Sequence, residues 1–134
     1  MNRPTRSFKL RLSRQGMDLL IDAHCHLIRA TRRLLAWGTT LHVAVAHLET
    51  LPAELLVDEL AVVGRAGLAG GEEHHLGAPT SLVGLAGAIA DRVSGARKDM
   101  AAPSLGSIYL LALHILATAD QTSLQATYEK TKVS

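Results

Sequence analysis

Aromatic residues are scarce in this chain: one Trp, one Phe and two Tyr among 134 residues, about 3%. Any core must therefore be aliphatic, drawn from the 48% of residues that are hydrophobic. A Leu- and Ala-rich composition poor in aromatics favours helix over strand. Cysteine is nearly absent. Cys25 stands alone, which excludes an intramolecular disulfide and a Cys-rich zinc motif. It is expected to be a semi-buried, inert thiol.

Acidic residues are missing from the first 17 positions, which hold Arg3, Arg6, Lys9, Arg11 and Arg14. The remainder carries 9 basic and 12 acidic residues, a net of −3, so the basic balance belongs to the leader. The expectation for residues 1–16 is a basic, disordered arm. Such an arm can contact nucleic acid or an anionic membrane through those five cations. It also has the character of an organelle transit peptide, and Met17 is an alternative start. No secretory signal is visible, because no apolar h-region follows the basic start. The expected compartment is the cytoplasm, with an organelle as the alternative.

No hydrophobic run is long enough to span a bilayer. The most apolar continuous stretch, 108–117, falls well short of the ~20 residues a spanning helix requires and reads as a core helix. A phosphate-binding loop is also absent: no Lys-Ser or Lys-Thr follows Gly64, Gly67, Gly70 or Gly71.

What is present is helical periodicity. Met17, Leu20, Ile21, His24, Leu27, Ile28, Thr31, Leu34 and Leu35 follow one helical face, predicting a helix over 17–37 with Gly38 as its stop. Residues 39–47 are ambiguous between strand and helix. Pro52 opens a helix running to Ala66, and 67–79, rich in Gly, reads as a loop. Thr80 or Ser81 caps a helix to about Val93, and Ser104 caps a helix over 105–119 that extends to about Lys130. Residues 131–134 form a tail. The fold class expected is mainly α, a single domain over 17–130 built as a small bundle of four or five helices.

One motif carries chemistry. An apolar run ends in Asp22-Ala23-His24-Cys25-His26-Leu27. On a strand, His24 and His26 project to one side and can chelate a divalent metal. At these residues the sequence resembles the amidohydrolase superfamily and related metal-dependent hydrolases, whose first barrel strand ends in His-x-His; residues 17–47 carry the similarity. The resemblance implies His24 and His26 as ligands of zinc or another divalent metal. It also implies an α/β barrel fragment, since the chain is shorter than the ~200 residues a full barrel takes, and hence a truncated or decayed hydrolase. On a helix the two imidazoles instead lie about 200° apart and share no ion.

Other histidines give weaker signals. His42 and His47 are poorly spaced for chelation, Glu72, Glu73, His74 and His75 sit in the Gly-rich segment, and a lone His114 in an apolar helix reads as a hydrogen-bonded core residue. The leading functional expectation is a non-enzymatic helical protein–protein interaction module, with a protein partner or a second copy and no cofactor. The metal-dependent hydrolase is the alternative.

Overall fold

The computed structural model describes residues 4–99 and 101–133; Arg3 of the basic arm and Ser134 of the tail lie outside the described residues. Among them the chain forms six helices and one two-stranded sheet, a mainly α domain. The order is β1 (Thr5–Leu12), α1 (Arg14–Thr31), α2 (Trp37–Leu48), α3 (Ala53–Arg65), β2 (Glu72–Pro79), α4 (Leu82–Ala96), α5 (Leu105–Leu116) and α6 (Gln121–Val133).

The arm expected to be disordered is largely strand β1. Phe8, Leu10 and Leu12 are buried while Ser7, Lys9 and Arg11 are exposed, the period-two pattern of a sheet with one wet face. Its partner is antiparallel β2, with Phe8 opposite Leu76 and Leu12 opposite Glu72. This corrects the loop expected over 67–79. β2 takes its extended form from the pairing, with Leu76 and Ala78 buried beside the strand's apolar face. Glu73 lies 2.8 Å from Arg11 and 3.7 Å from Lys9. Such exposed pairs add little energy, but they favour this register. The sheet is not a fragment of a barrel, because its strands run antiparallel and are joined through three helices.

Ser13 ends the strand and begins α1. Its Oγ accepts from the Gly16 N–H at 3.0 Å, an N-cap, while its own N–H donates to the Leu68 carbonyl at 2.9 Å. From there Leu20, Ala23, His24, Leu27, Ala30 and Thr31 are buried at helical spacing. The helix ends at Thr31 rather than at 37.

The ambiguous segment is helix α2, buried on nearly every side, with Leu41, Val43, Val45 and Leu48 fully enclosed. It packs against α5, the other all-round apolar helix, in which Ile108, Leu111 and Leu113 are enclosed. The Ser104 cap is present, its Oγ accepting from the Ser107 N–H at 3.1 Å. The last predicted helix is two. The chain turns at 117–120, and Asp120 Oδ2 accepts from the Ser123 N–H at 2.9 Å to start α6. Residues 131–133 continue α6 instead of forming a tail.

Gly38 does not stop a helix. It sits in the first turn of α2, where a Cβ would lie 1.5 Å from the Gly77 carbonyl oxygen, so the helix meets the β2 backbone without a side chain between. Gly38→Ala is expected to cost about 1–3 kcal/mol or more through overpacking against backbone. Gly84→Ala, in α4 with open space at its Cβ, is expected to gain up to about 1 kcal/mol. Urea unfolding of the two variants checks the pair; equal effects would contradict the close approach.

Candidate functional site

Helix geometry decides the fate of the His-x-His motif. His24 is buried and faces α2: its Nδ1 lies 2.6 Å from Thr40 Oγ1, and its ring stacks on Trp37 with centroids 3.9 Å apart and planes at 17°. His26 is half-buried and points elsewhere. Its Nε2–H donates to the Ala119 carbonyl at 2.6 Å, joining α1 to the α5–α6 turn. Each imidazole thus has its own partner on a different element, and the structure does not bring the two together. Cys25 between them is exposed.

The Glu72–His75 cluster is divided too. On β2, alternation sends Glu73 and His75 to one face and Glu72 and His74 to the other; His74 Nε2 is buried without a hydrogen-bond partner. His42 and His47 are both buried on α2, with His47 Nδ1 3.5 Å from Thr127 Oγ1 of α6. His114 finds its partner in Glu59, Nε2 to Oε2 at 2.9 Å, which ties α5 to α3. That pair lines a cleft of about 610 Å³ with His47, Asp120 and Ser123. Among the described residues no three His, Cys, Asp or Glu side chains converge as a metal-sized group.

A different constellation stands out at the α1–α2 junction, and sequence reasoning passed over it by running one helix through to 37. Thr31 Oγ1 donates to the Leu27 carbonyl at 2.9 Å, closing the last turn of α1. Arg32 then adopts the left-handed conformation, φ 58° and ψ 34°, with its N–H donating to the Ile28 carbonyl at 2.7 Å. This is the position glycine ordinarily fills, and here it carries a cation. Residues 33–36 form the connection, and Ala36 accepts the first α2 bonds, from the Thr39 and Thr40 N–H groups. Leu35 tucks against the core. Leu34, its neighbour, keeps 94% of its surface exposed, and Trp37 keeps 41%.

Arg29, Arg32 and Arg33, which precede these two residues in the chain, are exposed. Among the described residues none of the three makes an ion pair. No acidic residue occurs from 23 to 48. The turn therefore combines protruding apolar groups with uncompensated positive charge, on a backbone braced by the His24–Trp37 stack. The exposed-cation signal was legible as Arg29, Arg32 and Arg33 in the sequence, but a continuous amphipathic helix would have spread it around an axis.

No family model matches the chain, and neither a curated protein nor a solved structure matches it.

Burial holds His24 and His47 below the ordinary histidine value of 6.5, because the interior disfavours the charged ring. The unfolded chain takes up these protons near 6.5, whereas the folded chain resists until lower pH. Their stabilisation is thus complete above 6.5 and is lost as pH falls through the lowered values. Denaturant midpoints are expected to be level from neutral to mildly alkaline pH and to drop as pH falls below 6.5. The drop should be smaller in His24→Gln and His47→Gln; a wild-type profile flat across this range would contradict the burial of these rings.

Proposed function

We propose that this chain is a small non-enzymatic helical interaction module whose contact surface is the turn at 32–37, and whose partner carries negative charge. The observation that carries this reading is Leu34, a large apolar side chain 94% exposed directly after the exposed Arg32 and Arg33. Exposed apolar groups are ordinary when scattered. One held clear of the fold on a braced turn, preceded by unpaired guanidiniums, has the composition of a recognition patch.

Charge also selects the kind of partner. A second copy docked by two-fold symmetry presents the same patch from both sides, which would oppose Arg29, Arg32 and Arg33 to their own counterparts. Like charges at such a contact oppose association, so self-association through this face is disfavoured and an acidic surface is favoured. Arg32 supports the same reading. A non-glycine residue in the left-handed region costs folding energy, and its side chain is what the position gains in return.

The hydrolase alternative requires His24 and His26 on one side of a strand. They lie on a helix with separate partners, and no observation favours that reading over the module.

Trp37 is the only tryptophan, so its emission reports the patch directly. Titration with polyglutamate is expected to shift that emission at low salt and not at high salt. Arg32→Gly should leave stability unchanged or raise it by up to about 1 kcal/mol by relieving the positive φ, while weakening polyglutamate binding. An Arg32→Gly variant that binds as well as wild type, or no change in Trp37 emission with any polyanionic probe, polyglutamate or anionic vesicles, would contradict the assignment of this surface.

A further inference from the structure

The partner can be narrowed by shape. A side chain 94% exposed is a projection, not the floor of a groove, so the surface it meets must yield around it. Leu34 projects, Trp37 follows three residues later half-exposed, and the exposed Arg29, Arg32 and Arg33 precede them. An apolar tip, an amphipathic indole and neighbouring cations are the groups that the layers of a bilayer surface take up: acyl boundary, interfacial zone and headgroup phosphates.

A cation from a distant part of the chain, Lys132, reaches the same end of the molecule. A cavity of about 660 Å³ is lined by Thr5, Ala36, Thr39, Gly77 and Lys132. It therefore brings the start of β1, the start of α2 and the end of α6 together beside the turn. Arg6 follows Thr5 and lies 5.0 Å over the Phe8 ring. Lys132 lies 3.5 Å from Glu129, an acid present at this end. Arg29, Arg32 and Arg33 remain uncompensated.

Resting on the reading of the turn as the contact surface, we propose that this end docks on an anionic lipid bilayer, with Leu34 and Trp37 entering the interface and Arg29, Arg32 and Arg33 contacting lipid phosphates. A nucleic acid fits less well. It offers no apolar layer for Leu34, and one face of Trp37 is already covered by His24, which leaves little aromatic platform for base stacking. The predicted binding is weak and reversible, because no helix among the described residues is long and apolar enough to cross a membrane and a short apolar tip needs the electrostatic contribution to hold.

The test is co-flotation of the full chain with vesicles of phosphatidylcholine, with or without phosphatidylserine, at low and high salt. Binding is expected only to phosphatidylserine vesicles at low salt, with a blue shift of Trp37 emission. Arg33→Ser should lower the vesicle partition about fivefold and Leu34→Ser about tenfold. Arg97→Ser, outside the turn in an exposed pair with Asp99, should leave it unchanged. Circular dichroism of each variant confirms that the fold is kept. Equal binding to phosphatidylcholine alone, or wild-type partition in both turn variants, would overturn the proposal. Binding of polyglutamate or duplex DNA through the same residues, without vesicle binding, overturns the bilayer and leaves the turn as the contact surface. Binding to none of these overturns both.

Discussion

Helix α2 is buried on almost every side, and most of the structure answers to that constraint. A helix without a wet face must satisfy its polar side chains inside the protein, since a buried unpaired group costs about 1–3 kcal/mol. Thr40 meets His24 of α1, and His47 approaches Thr127 of α6. At its C-terminal end, Arg92 of α4 donates to the Leu48 carbonyl at 3.4 Å and to the Leu51 carbonyl, just past the helix, at 2.6 Å, groups a helix end leaves open. Three helices are thereby registered against α2 by directional contacts, while α5 supplies apolar packing. Gly38 removes the side chain that would hold β2 away.

The turn at 32–37 inherits its geometry from this arrangement. Helix α1 must stop where α2 can begin beneath it, and Trp37, stacked on His24, marks that point. The short connection leaves α1 through a left-handed residue, and Arg32 takes that position. Leu35 turns inward and Leu34 outward as a direct consequence. The exposure of Leu34 is therefore not looseness of the chain: Thr31 before the turn is buried and Leu35 after it packs against the core.

Helix class, the apolar α5 and its Ser104 cap were legible in the sequence because they rest on local periodicity and capping chemistry. So was the division between the two readings of His24 and His26, which differ only in backbone period. The alternation of Phe8, Leu10 and Leu12 with Lys9 and Arg11 is also a strand signal in the sequence, but it coincides with the acid-free basic run that reads as a disordered arm. Strand β2 was not legible: Glu72–His75 has no strand character, and its partner lies some sixty positions away. The end of α1 escaped for another reason. Leu34 and Leu35 continue the helical spacing, and nothing local marks Arg32 as a left-handed residue where glycine is the usual sign. Gly38 misled in the same way, since it serves a close approach that only the fold reveals.

Residue-resolved amide hydrogen exchange, with and without anionic vesicles, tests most directly the claim that a rigid α2 presents an exposed turn. Amides of α2 and α5 should exchange slowest in the free protein, with those at 33–36 among the fastest, and vesicles should slow exchange at the turn alone. Rapid exchange throughout α2, or protection by vesicles at a site remote from the turn, would contradict the account.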